Sequence, residues 1–240
     1  MQKGEIQMNF PKDIIPRNRE ERKYIDEMEL QKRDRFQETI LKNMKHNYKV
    51  STIQKLPLNV FPLSQKYSTY SNLPYGIFST IGQAGCGPLA VEYALRLLGF
   101  TFNFEDIISE CIEKSYRGYI YNDNEEIIDG SGTKYSLFSN IATELVNLDE
   151  ILTFLKKGCP ITILIQNSVY HNDENRAGNH FVTLIGIDAS KNAILMDGNK
   201  VTDENNPSTA LIRKPFNEML LGLRGAWAWE KDKVKNFIMD

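Results

Sequence analysis

The stretch Ile81-Gly82-Gln83-Ala84-Gly85-Cys86-Gly87-Pro88, continuing as LAVEYALRLLGF to residue 100, decides how the chain is read. Val91, Leu95 and Leu98 recur at i, i+4 and i+7, the spacing of a helix with one apolar face. Ala90 and Ala94 let that face pack closely, and Gly99 is a natural C-terminal stop. Pro88 stands where a first-turn residue belongs, because its missing N–H would have had no partner there. Cys86 is thereby placed at the N-terminus of a buried helix, beside free backbone N–H groups and the positive end of the macrodipole. Such surroundings lower a thiol pKa from about 8.5 to between about 3.5 and 7.5. The same N–H groups could hold a developing oxyanion. A small structural cysteine in a tight turn would carry the same local residues, so the motif needs a partner.

Downstream, Asn103 opens a second helix, with Glu105 and Asp106 in its first turn and Ile107, Ile108 and Ile112 along it. Residues 114–134 read as a polar loop, which lacks the Gly position and terminal Glu of a calcium-binding loop. Helical patterns follow at 134–144 and 149–157, the second closing at Gly158. After the Cys159-Pro160 break the chain turns to strands. These are Ile161 to Ile165, Phe181 to Ile187, Ala193 to Met196, Leu211 to Arg213 and Gly225 to Trp229. Helices first and an antiparallel sheet second describe an α+β domain, not alternating βαβ units.

A thiolate nucleophile needs a base. His180 sits in Gly178-Asn179-His180-Phe181-Val182, at the mouth of one of these strands. The next strand ends at Met196-Asp197-Gly198, and the turn Asp188 to Asn192 makes the two a hairpin. That topology brings Asp197 beside His180, where it can accept the Nδ1–H and fix the tautomer. His171 lies in a polar stretch that reads as an exposed loop, and His46 ends a charged helix. Cys111 and Cys159 have no helix-start environment and read as packing residues.

Upstream, residues 17–47 contain no Gly or Pro, mix both charge signs, and carry apolar residues at Tyr24, Ile25, Met28, Phe36, Ile40, Leu41 and Met44. The pattern predicts a helix or helical pair, and residues 1–50 as an extension before a domain at 51–240. The stripe Phe36, Ile40, Leu41, Met44 would rest either on the domain core or across an active-site cleft. Residues 51–80 read as an irregular, extended connector.

With 41% hydrophobic and 25% charged residues the chain is ordinary globular material, long enough at 240 residues to bury a core. A net charge of -2 gives no bias toward nucleic acid. Three scattered cysteines and three histidines support neither a disulfide framework nor a zinc site. The sequence has no apolar run long enough to span a membrane and no recognisable secretory signal, which makes the cytoplasm the expected location.

Gly85-Cys86-Gly87-Pro88 at a helix head, Gly158-Cys-Pro-Ile-Thr-Ile before a strand, Asn179-His180-Phe-Val, and Met196-Asp197-Gly198 occur in this order. Over about residues 75–200 the chain resembles the papain-like cysteine peptidases, in particular the double-glycine leader peptidases that process bacteriocin precursors. The resemblance implies a papain-like α+β fold with the Cys helix packed on the sheet, no cofactor, and a peptide or amide substrate. It maps a catalytic triad onto Cys86, His180 and Asp197. The family's oxyanion-hole Gln usually lies farther upstream than Gln83, which would have to fill that role through a shortened turn. Acyl transfer on the same fold and a catalytically silent peptide-binding module are the alternatives, although an intact Cys, His and Asp argues against the second. Substrate preference and oligomeric state are not legible in the sequence.

Overall fold

Pro160 ends the helical half of the chain, and the β-branched run behind it forms the middle of a sheet. The computed structural model describes residues 7–13, 15–45, 63–76, 79–122, 124 and 126–239. In chain order the elements are β1 (Gln7–Met8), α1 (Arg19–Lys45), α2 (Ile81–Ala84), α3 (Cys86–Leu97), α4 (Phe104–Glu113), β2 (Arg117–Tyr121), β3 (Ile127–Thr133), α5 (Ser136–Ile141), β4 (Thr143–Glu144) and α6 (Leu148–Lys156). Then come β5 (Ile161–Gln166), α7 (Asn167–His171), β6 (Asn179–Ile187), β7 (Asn192–Met196), β8 (Leu211–Pro215), α8 (Phe216–Leu221), β9 (Leu223–Ala228), α9 (Lys231–Val234) and β10 (Ile238–Met239). The main sheet is antiparallel throughout, in the order β4-β9-β5-β6-β7-β8. Helices and an antiparallel sheet thus make up the fold, as expected.

Alternation along β5 separates two cores. Leu164 joins Phe181 and Trp227 under α3, α4 and α5. Ile161, Ile163 and Ile165 join Val182 and Leu184 under α6 and α8. The second helix starts as read, with Asn103 accepting from the Glu105 N–H, and Asn147 caps α6 in the same way.

Two expectations need correction. Residues 114–134 are not a loop: β2 and β3 form a hairpin, with Tyr119 opposite Asp129 and a register shift between Arg117 and Tyr119. Its strands carry polar and Gly residues instead of an apolar alternation, so no period-2 signal marks them. The segment 134–144 is a short helix, α5, followed by β4, which pairs with Trp227 and Ala228.

The charged segment is one helix of 27 residues. Phe36 and Ile40 are buried in the sheet-side core, Leu41 and Met44 are half-buried, and Tyr24 and Met28 are exposed. β4 covers only the last residues of β9, and α1 packs along β9 as well. There Gln37 Nε2 donates to the Leu221 carbonyl (2.6 Å), and buried Arg33 lies over Tyr135 (4.8 Å) and Trp227 (4.9 Å) while pairing with Glu29 and Glu144. Covering a strand edge removes a template for unwanted pairing. The boundary expected at residue 50, His46, and the connector through Pro62 lie outside the described residues. Among the described residues no helix is long and apolar enough to cross a membrane.

Candidate active site

α2 runs almost directly into α3 through Gly85, so Cys86 opens the long helix with Pro88 in its first turn. Gly87 is required here: a Cβ at this position would lie 2.2 Å from Thr133 Oγ1, so β3 presses against the helix start. His180 pairs with Ile165 in the β5–β6 ladder, and Thr183 pairs with Met196. That register places Asp197, one residue past β7, near the foot of β6.

The three groups meet. His180 Nε2 donates to Asp197 Oδ1 at 2.9 Å, and the His180 ring is near enough to the Cys86 thiol for each to shift the other's pKa. The carboxylate therefore takes Nε2 and not Nδ1 as expected from the hairpin, which leaves Nδ1 for the sulfur. His180 and Asp197 are both buried, while Cys86 retains partial exposure. Burial by itself opposes the Cys86 thiolate, but the hydrogen bond and charge of His180 and the Phe181 N–H outweigh it, and the thiol is held below its ordinary range. His180 likewise pays for its burial, yet Asp197 and Cys86 raise it to about 10. Asp197 is held low by His180, the Tyr170 hydroxyl and the Asn199 N–H against the effect of its burial. The directions of these shifts favour a thiolate–imidazolium pair backed by a carboxylate.

The other cysteines behave differently. Burial pushes the Cys111 and Cys159 thiols up. His171 closes α7 instead of lying in a loop, and its burial with nearby Arg176 and Lys200 lowers its pKa. Gln83 is not brought to the thiol. Its side chain is exposed and turns back to accept from the Thr80 N–H (3.1 Å), completing a capping box on α2.

Sequence reasoning missed two residues. Gln65 is buried, lines the small cavity around Cys86 and Asp197, and donates to the Gly82 carbonyl (3.4 Å). Its segment is anchored by the Gln65 N–H to the Gly198 carbonyl (2.9 Å) and by Tyr93 Oη to the Leu63 carbonyl (2.6 Å). A glutamine well upstream of Cys86 was the signal that could have found it. Tyr170, buried on α7, donates from its hydroxyl to Asp197 Oδ2 at 2.7 Å. It had no signal, being a tyrosine among polar neighbours.

The Peptidase_C39 like family matches residues 57–218. The chain belongs to this family. The match spans Gln65, Cys86, His180 and Asp197, whereas α1 precedes it. No curated protein and no solved structure matches the chain. The family match thus covers the stretch of chain that holds these site residues.

Proposed function

We propose that this C39-like protein is a cysteine peptidase with a papain-like arrangement of helix and sheet, cleaving peptide or amide bonds through Cys86, His180 and Asp197. One observation supports this above the rest: the His180 imidazole, which lowers the pKa of the thiol at the head of α3, is itself bonded to the buried Asp197 carboxylate at 2.9 Å. The Cys86 thiolate attacks the carbonyl carbon, and imidazolium Nδ1–H protonates the leaving amine. Neutral His180 then draws a proton from water, which hydrolyses the thioester and restores the pair. Asp197 keeps the ring oriented throughout. The tetrahedral oxyanion falls to the Cys86 backbone N–H and the Gln65 side-chain amide, a role that Gln83 is turned away from. This chemistry asks for no cofactor.

The test is turnover of a mixed peptide library. Cys86→Ala should abolish hydrolysis and leave the melting curve in place, while Cys111→Ala and Cys159→Ala should keep activity. A Cys86→Ala protein that still cleaves peptide would sink the assignment.

A further inference from the structure

β5 ends at Gln166 and the chain turns at once into α7. The Asn167 N–H bonds the Gly178 carbonyl (3.0 Å) and Asn167 Nδ2 bonds the Ala177 carbonyl (2.9 Å), which ties α7 to the foot of β6. This turn carries Tyr170 to the His180 ring, with centroids 5.3 Å apart and planes tilted by 52°. The Tyr170 hydroxyl then reaches Asp197 Oδ2. The other carboxylate oxygen, Oδ1, already accepts from His180 Nε2 and from the Asn199 N–H (2.9 Å). Asp197 is 1% exposed, so water does not supply a donor in place of the phenol. A buried carboxylate oxygen without a donor is costly, and hydrogen bonds to charged groups are the stronger kind.

We propose that Tyr170 is a positioning residue of this site, its hydroxyl completing the donor set of Asp197 so that the carboxylate holds His180 with Nδ1 on Cys86. This inference rests on the peptidase reading of Cys86, His180 and Asp197. A side chain needed only to fill the space could be phenylalanine. The feature that requires tyrosine is the O–H aimed at Oδ2.

The charged and titratable groups around it are few. Lys214 of β8 lies 5.0 Å over the Tyr170 ring, with Glu218 of α8 near it. His171 stacks edge-on against Tyr170, and Arg176 and Lys200 face His171. On the α3 side Tyr93 feels the charge of Asp197, but its hydroxyl is spent on the Leu63 carbonyl. Burial and the neighbouring carboxylate keep the Tyr170 phenol protonated, hence a donor, across the working range.

Removing the hydroxyl leaves more negative charge uncompensated beside the thiolate–imidazolium pair. The imidazolium then holds its proton more tightly and the thiolate forms less readily. Both transitions should move to higher pH, by about one unit for a hydrogen bond to a buried charge.

The experiment follows iodoacetamide alkylation of Cys86 against pH in the full chain carrying Cys111→Ala and Cys159→Ala, with and without Tyr170→Phe. The expected result is two inflections in the parent, both displaced upward by about one unit in Tyr170→Phe. In an Asp197→Asn background the same replacement should have no further effect, because no carboxylate is left to position. Should Tyr170→Phe fail to fold, 3-fluorotyrosine placed at 170 reads the same bond with a stronger donor and should move both inflections down. Coincident profiles for parent and variant, or an equal shift in the Asp197→Asn background, would overturn the role of Tyr170 alone. A parent in which Cys86 alkylates as an ordinary thiol would overturn the peptidase reading, and this inference with it.

Discussion

A hairpin register sets which residues are neighbours, while the strand's twist and the χ2 angle of His180 set which nitrogen meets which oxygen. On the proposed peptidase reading, with Nε2 on Asp197 and Nδ1 left to serve Cys86, the pair works between its two transitions. Activity should rise as pH climbs through the depressed Cys86 transition, below the about 8.5 of an ordinary thiol. It should fall as pH passes about 10, where His180 loses its proton. A kcat/KM profile rising only above the ordinary thiol range would refute the pairing. Asp197→Asn should cost up to about 10⁴ in kcat, the loss seen when the orienting carboxylate of a serine-protease triad is removed. Asp188, which accepts from the Asn192 N–H in the hairpin turn, should be replaceable with little change in rate. Comparable losses at both positions would contradict the orienting role. The two glutamines separate just as cleanly. Gln65→Ala should lower kcat by about 10² to 10³, whereas Gln83→Ala should touch only the α2 cap.

Elements with strong local chemistry were readable and those without it were not. α3, α4 and α6 announce themselves through apolar spacing, and α4 through its cap Asn103 as well. The β2–β3 hairpin does not, because its residues alternate neither in polarity nor in size, and pairing is set by partners distant in sequence. Yet this hairpin presses on the start of the Cys86 helix: its last residue, Thr133, touches Gly87 in α3, and Tyr75 Oη and Thr133 Oγ1 lie 2.8 Å apart. Gly87→Ala must push β3 and α3 apart, an overpacking of about 1 to 3 kcal/mol. The expected outcome is a lower melting temperature together with slower alkylation of Cys86. Adding Thr133→Gly should restore part of both. If Gly87→Ala lost stability but alkylated at the parent rate, the hairpin would be a neighbour of the site without influence on it.

At the scale of the molecule, the sequence left one choice open and the packing resolves it at named residues. The apolar stripe of α1 could have covered the cleft or completed the core. Phe36 and Ile40 lie in the same cluster as Leu148, Ile151 and Leu220, on the side of the sheet away from α3. The N-terminal arm is tied down elsewhere too: Met8 and Phe10 are buried beside α3 and α4, and β1 pairs with β10 near the other end of the chain. Met8, Phe10, Phe36 and Ile40, all before the family match, are therefore structural partners of the two cores. Phe36→Ala and Ile40→Ala should each cost about 2 to 5 kcal/mol, large against a net stability of about 5 to 15 kcal/mol. Removing residues 1–50 should lower the melting temperature further still. None of the three changes should speed alkylation of Cys86 below the onset of melting, because α1 does not line the small cavity around the thiol. Faster labelling at full native signal would mean that α1 shields the cleft after all. Unchanged stability in all three would mean that the helix contributes nothing to either core.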